Sequence, residues 1–174
     1  MIAKAALFLI VCIASSGCDG RAAQASSDAA PSYPFPALTG RVVDAADLLP
    51  PAQEAKLADR LKAVEDRSKH QFVVVTVSSL GGHTIEDYGL HLGRTWGIGR
   101  KDHDDGVLLI VAPNERKVRI EVGYGLERAL TDDEAANIID DDILPAFRKG
   151  TMPEGIQAGA SGIIREIAPE NMAS

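Results

Sequence analysis

Two nearly unbroken apolar runs constrain this chain more than any other feature: Phe72 to Val77 (Phe-Val-Val-Val-Thr-Val) and Val107 to Ala112 (Val-Leu-Leu-Ile-Val-Ala). A strand with one wet face alternates polar and apolar residues, whereas a run that is apolar throughout is covered on both faces. Strands of this kind belong inside a sheet with helices on either side. Between them lies an amphipathic helical pattern, with Ile85, Tyr88, Leu92 and Trp96 on one face, so Trp96 reads as core. Thr84 stands three before Asp87 as in a capping box, and glycines at 81, 82, 97 and 99 bracket the segment. Strand, helix and strand in that order predict a parallel pair joined by a right-handed crossover.

The flanking segments extend the pattern. Arg41-Val42-Val43 reads as a short edge strand, and a helix opens at Pro51 with Leu57, Leu61 and Val64 facing inward. Pro113 to Arg116 is a turn, and Lys117 to Val122 alternates as a half-exposed hairpin strand does. Thr131 and Glu134 form a capping box for a helix through Ile138, Ile139 and Ile143, which Pro145 must kink or end. Arg148, Lys149 and Gly150 stop it, and a last helix beginning near Thr151 buries Ile156, Ala160, Ile163 and Ile167. The prediction is an α/β fold: a mixed, mostly parallel sheet of about four strands with helices packed on its faces.

The N-terminus reads as an export signal. Lys4 precedes the apolar stretch Ala5 to Ala14, roughly ten residues against the ~20 that a spanning helix needs. Ser15-Ser16-Gly17-Cys18 resembles a bacterial lipobox, although Ser15 replaces the usual leucine, and Ala23-Gln24-Ala25 offers a second cleavage site. The lipobox reading makes residues 1–18 a lipoprotein signal and Cys18 the lipid attachment point; the other releases a chain beginning at Ser26. Residues 19–37, rich in Ala, Ser and Pro, read as a flexible tether, 38–168 as the folded domain and 169–174 as a tail. The expectation is an exported protein on the periplasmic or cell-envelope side, lipid-anchored.

Charge and cysteine usage exclude several functions. The 174 residues carry 18 basic and 25 acidic groups, a formal net charge of -7, and no aromatic–basic groove pattern. Such a chain repels phosphate backbones, so nucleic acid is not an expected partner, while divalent cations and basic partners are. Cys12 and Cys18 are the only cysteines. The folded domain is therefore expected to have no disulfide and no thiolate metal site. The DxDx[TV] and G-x-S-x-G nucleophile motifs are absent, and His70, His83, His91 and His103 are scattered. Hydrolysis here would depend on a metal and a carboxylate base.

Five pieces in order carry a family likeness: Gly40-Arg41-Val42-Val43-Asp44 before Leu48-Leu49; Trp96-Gly97-Ile98-Gly99 before Asp105-Gly106-Val107-Leu108-Leu109; Arg119 to Glu127; Leu130-Thr131-Asp132; and Ile138-Ile139 followed by Ile143, Pro145 and Phe147. Together they resemble the TPM domain, a family of exported or membrane-tethered domains. The resemblance implies an α/β sandwich and, in some relatives, acid-phosphatase activity and binding of calcium or similar cations at acidic residues of a groove. Asp44 and Asp105 fall within its motifs.

The candidate cation ligands, for calcium or magnesium, are Asp44, Asp105, Glu127 and Asp132, with Asp102, Asp104 and Asp142 behind them. Asp102 to Gly106 is a loop able to converge oxygens, though it is not an EF-hand, and Gly123-Tyr124-Gly125 would let backbone approach a ligand closely. Asp140, Asp141 and Asp142 point about 100° apart in a helix and do not converge; Asp142 alone falls on the apolar stripe. Each of these acids also has a plainer role as a cap, turn residue or solvated charge. Two functions stay open: an envelope accessory domain docking a membrane or envelope protein, and a metal-assisted acid phosphatase.

Overall fold

The computed structural model describes residues 33–168. The leader, both cleavage sites, Cys18 and the tail 169–174 lie outside the described residues. Four strands form one sheet in chain order: β1 (Val42–Asp44), β2 (Gln71–Thr76), β3 (Gly106–Ala112) and β4 (Lys117–Val122). The first three are parallel, and β4 returns antiparallel to β3 with Val107 opposite Val122. This is the predicted mixed sheet.

Successive side chains leave a strand on opposite faces, and the two apolar runs supply both. Phe72, Val74, Val107, Leu109 and Val111 point to one layer, made by α1 (Pro51–Ser68), α3 (Asp132–Asn137), α4 (Leu144–Arg148) and α5 (Met152–Ile167). Val73, Val75, Leu108 and Ile110 point to the other, where α2 (Ile85–Trp96) packs through Ile85, Tyr88 and Leu92. Three details follow from local chemistry. Thr84 and Thr131 cap α2 and α3 by accepting the backbone N–H of Asp87 and Glu134. A π-helical turn spans Ile138–Ile143, with Leu144 N–H bonded to the Ile139 carbonyl. It widens the helix just before Pro145, which has no N–H to give and whose ring would crowd a regular turn.

Two features of the fold are not visible in the sequence pattern. With β1, β2 and β3 in spatial order, α1 and α2 on opposite faces make the two crossovers opposite in hand. One of the two is therefore left-handed, and the sheet is covered on both faces. The last residues of the segment read as tether are also docked. Pro34 accepts from the Tyr88 hydroxyl at 3.1 Å, Pro36 from the Trp96 indole at 3.2 Å, and Tyr33 stacks on His83 and His91. Aromatic residues at 33 and 35 against the exposed flank of α2 tie that stretch down.

Candidate functional site: a groove along the edge strand

Strand β4 is an edge of the sheet, and a groove of about 600 Å³ follows it. One wall is α2, through Glu86, Leu90, Gly93 and Arg94; the opposite wall is Ala135, Ala136 and Ile139. Residues 118–122 form the floor, and Asp104, Tyr124, Glu127 and Asp132 stand at one end. Five carboxylates and two guanidiniums line it. Arg119 is paired with Glu121 at 2.5 Å, so most of the acidic charge is left over.

That end is built by glycine. The turn Gly123-Tyr124-Gly125 lies against the backbone of the loop before β3: Gly123 N–H donates to the Gly106 carbonyl at 2.8 Å and Gly125 N–H to the Asp104 carbonyl at 3.0 Å. A Cβ at 125 would sit 1.9 Å from the His103 carbonyl oxygen, and one at 123 would sit 2.0 Å from that of Asp104. Neither position admits a side chain. The packing brings Asp104 beside Tyr124 and Glu127. Glu134 then closes the capping box that sets Asp132 at the groove's end; hydrogen bonds from the Thr131 backbone and hydroxyl hold its carboxyl below the usual range.

The structure divides the candidate acids. Asp104, Glu127 and Asp132 line the groove; Glu127 and Asp132 also share a shallow recess with Thr131 and Asp133. Asp44 is elsewhere, on β1 at the far edge, three strand spacings or about 14 Å across the sheet. Its two oxygens accept the Leu48 N–H at 3.0 Å and the Leu49 N–H at 2.7 Å, and the Thr76 hydroxyl joins them. Asp105 is buried and accepts from the Arg100 N–H at 2.7 Å and its Nε at 2.6 Å. Burial pushes the Asp105 carboxyl up, but the Arg100 side-chain and backbone hydrogen bonds outweigh it and hold the group below the ordinary 3.8. Asp142 pairs with Arg165 at 3.1 Å, and Asp102 is an exposed loop residue with φ 71°.

Sequence reasoning missed Glu86, Leu90, Arg94, Arg119 and Glu121. A signal existed: Glu86, Leu90 and Arg94 recur every four residues on α2, a second stripe beside the core stripe. As for a metal, a hard cation takes six to eight oxygens. Among the described residues no group of three or more His, Cys, Asp or Glu is placed to hold one. The expected ligand set is not gathered in one place: Asp104, Glu127 and Asp132 line the groove, while Asp44 and Asp105 are bonded elsewhere in the fold.

Comparison with known proteins agrees with this architecture. The family model of the TPM domain matches residues 42–166, and the chain belongs to that family. Among solved structures it is similar to the N-terminal domain of a protein from P. gingivalis, at 38% identity and a TM-score of 0.66, covering 74% of this chain and 85% of that one. It also resembles the N-terminal domain of the cg2496 protein of Corynebacterium glutamicum (18% identity, TM-score 0.60, 81% and 89% covered). A third likeness is the BA42 protein of Bizionia argentinensis (16%, 0.56, 72% and 88%). The last two likenesses concern the fold alone. No curated protein matches the chain.

Proposed function

We propose that this TPM domain is a partner-docking module of the cell envelope. In this reading the chain is exported and held to the membrane by a lipid on Cys18. It presents the groove along β4 to an envelope or membrane protein. One observation supports the reading above the others: Leu90 and Tyr124, exposed to 38% and 79%, both lie in the groove among carboxylates of which, among the described residues, only Glu121 has an ion-pair partner. Exposed apolar side chains rimmed by charge are the usual makings of a docking surface. Calcium or magnesium enters only as a weakly held, largely hydrated ion at Glu127 and Asp132. The alternative, a cation-dependent acid phosphatase, is favoured by that same solvent-open pair.

A photoreactive residue placed at 90 or 124 of the full chain in living cells tests the proposal. It is expected to trap a discrete protein adduct that the same residue at exposed Lys56, on α1, does not. Equal adducts from position 56, or none from 90 and 124, would sink it. Phosphomonoester turnover with calcium or magnesium that falls tenfold in Glu127→Gln would replace docking with the enzyme.

A further inference from the structure

Resting on that docking reading, the backbone of β4 narrows the partner. The Gly123 N–H bonds to the Gly106 carbonyl, and the β3–β4 register continues unbroken from there. In an antiparallel ladder bonded pairs alternate. Lys117, Arg119 and Glu121 therefore bond toward β3, while Val118, Ile120 and Val122 turn their N–H and C=O groups outward. Among the described residues these outward groups have no hydrogen-bond partner. They span about 14 Å of regular edge, enough for a strand of five residues. Natural edges are commonly broken by bulges or proline; β4 has neither over its six paired positions.

We propose that the groove accepts an extended, basic segment of a partner protein as a fifth strand, hydrogen-bonded to the outer edge of β4. Such a strand would lie between the two helical layers, and its side chains would alternate between them. The α3 side offers Ala135, Ala136 and Ile139 and suits apolar residues; the α2 side offers Glu86 and Leu90 and suits lysine or arginine with an apolar stem. The excess of carboxylates selects a basic segment and disfavours a second copy of this chain, because two β4 edges brought together would oppose two acidic rims.

The test uses the full chain, isotope-labelled, and the synthetic peptide acetyl-Thr-Lys-Val-Lys-Val-Lys-Thr-amide. Addition of the peptide is expected to protect the Val118, Ile120 and Val122 amides from hydrogen exchange by at least tenfold. The Lys117, Arg119 and Glu121 amides, already bonded to β3, should change little. Replacing the peptide lysines with glutamate should abolish binding. Methylating every second backbone nitrogen should abolish it in one of the two registers. Val118→Pro removes an outward N–H and spares the β3 ladder, so it should weaken binding at least tenfold; if that variant fails to fold, the methylated peptides decide alone. Absence of protection at millimolar peptide overturns strand addition. So does equal binding of both methylated peptides, which would show that the groove holds side chains only. Concentration-dependent protection of the same amides without peptide would instead make the occupant a second copy. Groove-specific adducts at 90 and 124 alongside any of these failures would leave docking standing and remove only the strand.

Discussion

At the residue scale, the acids that look most alike in the sequence do different work. Asp44 spends both oxygens on donors within the fold, closing the loop between β1 and α1. Hydrogen bonds to a charged acceptor are worth roughly 1.5–3 kcal/mol each, and this carboxylate is half-buried. Asp44→Ala should therefore cost about 3 kcal/mol in urea unfolding at pH 7. Asp105 has a pH signature. Its folded value lies below 3.8, so its contribution is complete above the unfolded value and is lost as pH falls through the lower, folded one. The stability gap between wild type and Asp105→Asn should hold from pH 7 to pH 5 and close below 3.8; a gap that widens in acid would refute this assignment. These roles were not legible in the sequence, because spacing shows that an acid is near a loop and not which donors it meets.

At the scale of elements, much was legible and the reasons are plain. The runs at 72–77 and 107–112 read as central strands, and Lys117 to Val122 alternates because Val118, Ile120 and Val122 face one helical layer while Arg119 and Glu121 lie in the open groove beside α2. Capping at Thr84 and Thr131 was readable because it is local chemistry. The Gly123-Tyr124-Gly125 turn was recognised as a close approach, but the approach is to the chain's own His103 and Asp104. Backbone cannot yield as a side-chain tip can. Gly125→Ala should consequently cost about 3 kcal/mol in urea unfolding and loosen the end of the groove; a loss below about 0.5 kcal/mol would show that the turn has room.

At the scale of the whole molecule, the sheet and its two cores separate what holds the domain from what it presents. Helices cover both faces, the β1 edge is three residues long, and the β4 edge stays open beneath α2 and α3. Local pattern could not reveal the groove, which exists only once β4 is known to be the edge and α1 and α2 to lie on opposite faces. That topology leaves Asp44 and Asp105 outside the groove and places Asp104, Glu127 and Asp132 in it, with Glu86, Leu90 and Arg94.

Urea unfolding at pH 7 of Asp105→Asn beside Glu127→Gln separates the carboxylates that hold the fold from those that line the groove. Breaking a buried ion pair typically costs 3–5 kcal/mol, but Arg100 is half exposed, so Asp105→Asn should lose about 2 kcal/mol. Glu127→Gln, at an exposed site, should stay within about 0.5 kcal/mol of wild type. An unchanged Asp105→Asn together with a destabilised Glu127→Gln would instead make Glu127 the structural acid and free Asp105 for function.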